Sequence, residues 1–181
     1  MKNWTKAMIG NDLVDLAAAA KESNWRRKGY LQKIFTETEQ SYIINSPKPE
    51  IVVWILWSMK EAAYKIWNRE SGMRSFNPKA FECQICQICE NTATGKVYFG
   101  SAEYLSETII NTAFLHTTCR NHDYIKPLFT SIACHGSDIE MRNHIIRDKA
   151  GIPIAAKQPE AFISKSHHGM FCSYLSTFKL K

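Results

Sequence analysis

The chain has 181 residues, of which 45% are hydrophobic and 22% are charged. This is the ordinary composition of a globular protein, and the length argues against two separate large domains. The net charge of +6 favours an acidic partner, such as nucleic acid, an anionic membrane surface, a phosphorylated ligand or an acidic protein, without choosing among these classes.

The apolar segments and the cysteines indicate the cellular setting. No apolar run approaches the roughly 20 residues that span a bilayer, and residues 1–10 lack the apolar stretch of a signal peptide. We therefore expect a soluble, cytoplasmic protein with no membrane partner. Cys83, Cys86 and Cys89 have a spacing that iron–sulfur clusters use. No fourth ligand follows and the segment alternates like a strand, so we interpret these cysteines as reduced structural thiols.

The first predicted element is a short apolar strand that begins at Ala7. It turns polar at Gly10 to Asp12, where the chain can leave the sheet, and this places a carboxylate at a strand end. Asp12 has a simpler interpretation as well, because it can be the N-cap of a helix that begins at Leu13.

Helices are predicted next, over residues 13–21 and 25–34. Phe35-Thr-Glu-Thr-Glu then has the pattern of a helix start, with Thr36 as N-cap and Glu39 completing a capping box. This region also carries four cations that we call the basic cluster: Arg26, Arg27, Lys28 and Lys33.

The strongest predicted element is a long helix over residues 51–67, which contains neither glycine nor proline. Glu61 and Lys65 are four residues apart and lie on one face, one turn after Trp57. Taken alone, this is the pattern of an exposed ion pair worth roughly a few tenths of a kcal/mol. Lys60 adds a third charge to a mostly apolar helix. A strand-end aspartate facing a helical glutamate suits Mg²⁺, which prefers one or two carboxylates, water and phosphate oxygens.

The rest of the chain is predicted to be rich in strands. Strands are predicted at 80–89, 96–99, 109–115, 152–156 and 161–164, with a turn at 93–95 and a short helix near 102–107. The run Ile163-Ser-Lys-Ser-His-His-Gly is predicted to be a turn whose hydroxyl, backbone and imidazole donors suit a phosphate. The alternative is a polar turn with incidental histidines. A similarity between 115–124 and 165–174 is too short to establish an internal duplication.

Four motifs occur in a definite order along the chain. Ile9-Gly-Asn-Asp-Leu resembles G-x-D, and Phe35-Thr-Glu-Thr-Glu resembles F-T-x-x-E. Trp57-Ser-Met-Lys-Glu-Ala-Ala-Tyr-Lys matches W-x-x-K-E-x-x-x-K, and Gly151-Ile-Pro followed by the Ser-His-His-Gly run resembles the pair G-K-P and S-I-S-H. Together they resemble the 4′-phosphopantetheinyl transferase superfamily, which includes the holo-acyl-carrier-protein synthases and the larger surfactin-synthetase-activating type.

This resemblance implies a fold and a division of the chain. The fold would be α+β, with an antiparallel sheet packed against a long helix and a partial pseudo-repeat in the C-terminal third. Residues 1–130 would form the transferase core with the metal-binding motifs. Residues 131–181 would be a C-terminal extension that belongs to the same globule and carries the Gly-Ile-Pro and Ser-His-His-Gly motifs.

The resemblance also implies a magnesium-dependent reaction. The 4′-phosphopantetheine arm of coenzyme A would pass to a serine of an apo acyl carrier protein, releasing adenosine 3′,5′-bisphosphate. Asp12 and Glu61 would hold Mg²⁺ against the pyrophosphate. Glu61 and Lys65 would be catalytic, Glu61 by accepting the serine proton directly or through a metal-bound water, and Lys65 by stabilising charge on the leaving group.

Further residues follow from the same resemblance. Lys60, Lys65, Ser166 and His167 would bind the phosphates of coenzyme A, with His116 as a second candidate for the histidine. Val14 stands where the larger type has another metal carboxylate, which leaves two protein ligands, with Asp15 at most reaching the ion through water.

The predicted partners are coenzyme A and an acidic acyl carrier protein that docks on the basic cluster. The alternative for this cluster is a solvated helix face. A second candidate function is a non-catalytic subunit that binds carrier protein but no longer admits coenzyme A. Nucleic-acid binding has no motif in its favour. The protein is expected to be a monomer or a trimer, and an extension that supplies its Ser-His turn within one chain would make the trimer unnecessary.

Overall fold

The computed structural model describes residues 8–121, 128–134, 137, 145–149 and 151–179, without the side chains of 159 and 160. The helices are α1 (Leu16–Glu22), α2 (Tyr30–Ile34), α3 (Glu37–Ile44) and α4 (Pro49–Ser71), and a short 3-10 turn spans Pro78–Ala80. The strands are β1 (Ile9–Asp15), β2 (Glu82–Ile88), β3 (Thr92–Phe99), β4 (Ala102–Ile110), β5 (Phe114–Asn121), β6 (Phe129–Cys134), β7 (Ile145–Arg147), β8 (Pro153–Ala155), β9 (Gln158–His168) and β10 (Phe171–Ser176).

The strands form two antiparallel sheets of five strands each. The first has the order β1-β5-β4-β3-β2 and the second β6-β10-β9-β8-β7. Helix α4 packs its apolar face on the first sheet, so that Leu56, Met59 and Ala63 share one core with Val97 and Leu115. The predicted α+β class, with an antiparallel sheet against a long helix, is confirmed. None of the helices in the described ranges is long and apolar enough to cross a membrane.

Helix α4 is longer than the predicted 51–67 because its ends have strong signals. Pro49 occupies the first turn, where its missing N–H costs nothing, and Gly72 ends the helix with a φ of 72°. The capping box at the start of α3 is confirmed as well: the N–H of Thr36 donates to Glu39 Oε2 at 2.8 Å, and Glu39 N donates to Thr36 Oγ1 at 3.3 Å.

Strand β1 lies in the middle of the molecule, and all seven of its residues are buried. One edge pairs with β5, while the other faces β9. Gly10 allows α4 to approach closely, because a Cβ at this position would lie 2.1 Å from the Ala62 carbonyl oxygen. Small residues at this crossing therefore bring the helix and strand within side-chain reach of each other.

The predicted end of the first strand is wrong. Asp12 is in the middle of β1, which runs to Asp15, and it is Asp15 that caps α1 by accepting from the N–H groups of Ala17 and Ala18 at 3.0 Å. The strand continues through its polar residues because neighbouring strands form hydrogen bonds with Nδ2 of Asn11 and Oδ1 of Asp12, although Oδ1 of Asn11 has no partner among the described residues. The predicted helix over 25–34 is also too long, since only α2 is helical and residues 25–29 form turns.

Several predicted elements between β2 and β5 are wrong. The predicted turn at 93–95 lies inside β3, and the predicted helix near 102–107 is part of β4. The predicted strand at 109–115 is interrupted, because β4 ends at Ile110 and β5 begins at Phe114. Gly95 serves close packing here rather than a turn: a Cβ would lie 2.5 Å from the Gln84 carbonyl oxygen. Pairing along the whole of β3 and β4 overrides the local preferences.

The cysteines form no metal-binding group among the described residues. All six cysteines are free, and Cys83 is buried with its Sγ 3.7 Å from the Leu56 carbonyl oxygen. Cys86 lies on the edge strand β2 and Cys89 directly follows it, and both are exposed.

Candidate active site

Asp12, Glu61 and Lys65 come together where β1 crosses α4. Lys65 Nζ donates to the Asn11 carbonyl at 2.6 Å and to Asp12 Oδ1 at 3.3 Å. Glu61 lies one turn earlier on the same face of α4. Burial and the nearby Asp12 charge raise the pKa of Glu61 to about 7, although the Lys65 ammonium opposes this. Glu61 therefore changes protonation state near neutral pH.

The two carboxylates have the chemistry of a divalent cation site. A cation between them would remove the repulsion that contributes to the raised pKa of Glu61. Val14 supplies no ligand, and the Asp15 carboxylate already accepts from three backbone N–H groups. Among the described residues, no group of three or more His, Cys, Asp and Glu side chains is arranged to hold a metal ion. Asp12 and Glu61 are thus the carboxylates that this part of the chain offers at the site.

Strand β9 contacts Asp12 from a second direction. Ser166 Oγ donates to Asp12 Oδ1 at 2.9 Å and accepts from Leu13 N at 3.2 Å. The predicted turn at this position is wrong, because β9 continues through His168 and the chain turns only at Gly169. Ser166 is therefore a strand residue whose hydroxyl faces β1.

The two histidines of the Ser-His-His-Gly run lie on opposite faces of β9. His168 Nδ1 accepts from Asp15 N at 3.0 Å, and its Nε2 lies 3.3 Å from Glu22 Oε2. His167 is exposed on the face that also carries Lys165. Gly169 has a φ of 54°, and a Cβ there would lie 2.3 Å from an Asp15 carboxylate oxygen. The motif therefore fixes the β9–β10 hairpin against the end of β1.

Lys60 is in the core rather than at the site. Its Nζ is fully buried and donates to Glu39 Oε1 at 2.7 Å and to the Phe81 carbonyl at 2.5 Å. Glu39 Oε1 also accepts from Cys83 N at 2.6 Å. Because Lys60 is next to Glu61 in sequence, it projects about 100° around the helix from it. The prediction that Lys60 binds phosphate is corrected accordingly.

His116 is a buried histidine on β5, opposite Leu13 of β1. Its Nε2 lies 3.3 Å from Asn11 Nδ2, and its Nδ1 has no hydrogen-bond partner in the described part of the chain. Burial and the nearby Lys65 charge lower the pKa of His116 from 6.5 to about 4. The ring is therefore neutral and enclosed at physiological pH.

This shift in the His116 pKa predicts acid sensitivity. The unfolded chain takes up a proton at His116 below pH 6.5, whereas the folded chain does so only near pH 4. Stability from this group is therefore complete above pH 6.5 and is lost as the pH falls toward 4, by about 2 kcal/mol at pH 5. Urea denaturation at pH 7.5 and pH 5 measures this loss. His116→Gln should lose correspondingly less between the two pH values, and an equal loss in both proteins would contradict the assignment.

A cleft of about 400 Å³ opens beside Lys65. Its lining residues come from α4, from β9 and from the segment around Gly151-Ile-Pro. The charged side chains that line it are all cationic: Lys65, Arg69, Arg74, Arg147 and Lys165. Sequence analysis missed the three arginines, and the Gly-Ile-Pro motif was the one signal that pointed to this region. The cleft is thus a strongly basic cavity, and Lys65 connects it to the Asp12 carboxylate.

The basic cluster lies on the surface near α2. All four of its side chains are exposed, and Arg26 is over the Trp25 ring at 4.0 Å and 3.7 Å from Glu50. Arg26, Arg27 and Lys28 belong to turns rather than to a helix face, and Lys33 is in the last turn of α2. The cluster is therefore accessible to a protein partner.

The chain is similar to one protein family and to a solved structure. No curated protein sequence matches the chain. Among solved structures, the holo-[acyl-carrier-protein] synthase (AcpS) of Thermotoga maritima is similar with a TM-score of 0.47 and 10% identity, over 80% of this chain and 83% of that chain. A family model described as the 4′-phosphopantetheinyl transferase superfamily matches residues 8–119, which include Asp12, Glu61 and Lys65. Because this match covers more than half of the sequence, the chain belongs to the 4′-phosphopantetheinyl transferase superfamily.

Proposed function

We propose that the protein transfers 4′-phosphopantetheine from coenzyme A to a serine of an apo acyl carrier protein, with Mg²⁺ held by Asp12 and Glu61. The observation that carries this proposal is the basic cleft, because one of its five cations, Lys65, donates to Asp12 and lies on the same face of α4 as Glu61. Coenzyme A has a pyrophosphate and a 3′-phosphate, so its anionic half matches the cleft in charge. Arginine is especially suited to such groups, since its planar fork binds phosphate oxygens in pairs.

The chemistry is a displacement at phosphorus. The serine oxygen of the carrier protein forms a bond to the phosphorus that bears the pantetheine arm, and the bond from that phosphorus to the leaving adenosine 3′,5′-bisphosphate breaks. Glu61 accepts the serine proton. Lys65 faces the same site and stabilises negative charge on the leaving group. Bound Mg²⁺ would act as a Lewis acid that neutralises the pyrophosphate oxygens.

The proposal is tested by mixing the protein with apo carrier protein, coenzyme A and Mg²⁺ and measuring the intact mass of the carrier. We expect the mass of one phosphopantetheine arm to be added, and none when EDTA is present. Several carrier proteins should be tried, because the sequence does not specify the pathway. If no carrier is modified and coenzyme A does not bind, the protein is not this transferase. If carrier protein binds without transfer, the non-catalytic alternative is favoured.

Arg147 provides a test of the cleft. Its exposed guanidinium borders the cleft and donates to the Gly151 carbonyl at 2.6 Å. We expect Arg147→Ala to raise the KM for coenzyme A about tenfold, the loss of one charge-assisted contact, with a smaller change in kcat. Lys79→Ala removes an exposed cation that does not line the cleft, so it is the matched control. Equal KM values in both variants would contradict binding in this cleft.

The basic cluster predicts a salt-dependent encounter with the acidic carrier protein. Reversing two of its charges, Arg27→Glu with Lys28→Glu, should raise the KM for carrier protein on the order of tenfold at low salt. The difference from wild type should shrink as the salt concentration rises, because screening weakens both attraction and repulsion. Charge reversal at Lys79 is the control. A KM that responds equally to both sets of substitutions would show that docking uses another surface.

A further inference from the structure

We propose that Ser166 is a positioning residue for the transfer reaction, because its hydroxyl fixes the Asp12 carboxylate in the orientation that binds the metal ion. This inference rests on the proposed function. It assigns to the Ser-His-His-Gly run a role toward the carboxylate rather than toward phosphate. The role follows from the way β9 meets the outer edge of β1.

Along that edge, the N–H groups of β1 donate to side chains of β9 instead of to backbone carbonyls. The alternate N–H groups of Asn11, Leu13 and Asp15 point away from β5, and no backbone carbonyl of the described residues accepts from them. Three side chains of β9, each two residues apart, accept from them in order: Ser164 Oγ at 3.0 Å, Ser166 Oγ at 3.2 Å and His168 Nδ1 at 3.0 Å. Each of these contacts is a rung that aligns β9 with β1.

The middle rung differs from the other two. Ser166 Oγ accepts from Leu13 N, and its single proton is donated to Asp12 Oδ1 at 2.9 Å. Ser166 is 6% exposed and Asp12 8%, so water competes little for this bond. Ser164 makes the equivalent hydrogen bond with the backbone of Asn11 but none with the Asp12 carboxylate.

Two donors hold one oxygen of Asp12 and leave the other available. Oδ1 accepts from both Ser166 and Lys65, whereas Oδ2 has no hydrogen bond to any described residue. With Oδ1 fixed at two points, the plane of the carboxylate is set and Oδ2 is free to serve as a ligand. Hydrogen bonds of this kind to metal-binding side chains typically change metal affinity 10–100-fold.

The experiment compares Ser166→Ala with Ser164→Ala in the full chain. Each variant loses one hydrogen bond from a β1 N–H group to a serine hydroxyl, but only Ser166 also donates to Asp12. Free Mn²⁺ is measured by electron paramagnetic resonance during titration of each protein, without carrier protein. Coenzyme A is kept saturating because Ser164 also borders the cleft. We expect Ser166→Ala to weaken Mn²⁺ binding at least about tenfold. Ser164→Ala should stay within about threefold of wild type, and Ser166→Thr, which retains the hydroxyl, should restore most of the affinity.

The outcomes separate this inference from the proposed function. If wild type binds Mn²⁺ and transfers the arm while the two alanine variants bind Mn²⁺ equally, the positioning role is wrong and the proposed function stands. If wild type neither binds Mn²⁺ nor transfers the arm, both are wrong. Should Ser166→Ala not fold, Ser166→Cys gives the same comparison, because a thiol keeps the shape but is only a weak donor.

Discussion

Glu61→Gln and Asp12→Asn will each lower the rate of phosphopantetheine transfer by about 10³-fold or more. Both substitutions keep the shape of the side chain and remove its charge, so the loss measures the metal ligand and, for Glu61, the proton acceptor. Transfer is measured by intact mass of the carrier at saturating coenzyme A and Mg²⁺. Asp12→Ala and Glu61→Ala should abolish transfer as well.

These losses should occur without unfolding. The pKa of Glu61 is raised to about 7, so its ionised form is disfavoured in the folded chain. The cost is absent below pH 4.5 and develops as the pH rises toward 7, so at pH 8 Glu61→Gln should melt at the same temperature as wild type or higher. A substantial transfer rate in both variants would contradict the assigned site. Loss of activity together with a much lower melting temperature would point to a structural role instead.

Lys60→Met will destabilise the protein by about 3–5 kcal/mol. Lys60 and Glu39 form a fully buried pair at 2.7 Å, and removing the cation leaves the Glu39 carboxylate in the core without a counter-charge. Urea denaturation measures the free energy of unfolding. The double variant Lys60→Met with Glu39→Gln should recover part of the loss, because glutamine is neutral, although its single carbonyl can accept from the N–H of Cys83 or of Thr36 but not from both.

The same pair of variants tests where Lys60 acts. In the folded double variant, the KM for coenzyme A should remain close to that of wild type, because the ammonium is enclosed by the core rather than by the cleft. A loss below about 1 kcal/mol in Lys60→Met would show that the pair is dispensable. An increased KM for coenzyme A in the double variant would return Lys60 to the phosphate site.

Local patterns predicted the helix that carries Glu61 and Lys65 but not the sheet around it. Helix α4 was predictable because apolar residues recur along it without a glycine or proline, and this spacing also places Glu61 and Lys65 on one face. The β3 and β4 region was mispredicted because residues 93–95 have the composition of a turn, whereas Gly95 is packed closely inside a strand. Its true role depends on Gln84 and Met59, which are distant in sequence.

Only those site residues that lie within one sequence motif could be predicted. The basic cleft takes Arg69 from α4, Arg74 from the segment that follows it and Arg147 from β7, so no window of sequence contains the set. The Ser-His-His-Gly run was identified as functional, but its residues were assigned to a turn because polar residues beside a glycine usually form one. In the structure, the β1 edge supplies donors for those polar side chains, and this keeps them in a strand.

The rungs between β9 and β1 have a consequence for how the protein is made. They join residues 153 apart in sequence, and contacts of such high order form late in folding. During synthesis, the first sheet and α4 emerge well before β9, so for that period β1 has an open edge that can pair with another chain. Asp12 acquires its Ser166 partner only after residue 166 has been added. Catalytic competence should therefore be the last property that the nascent chain gains, and co-translational aggregation its chief hazard before that point.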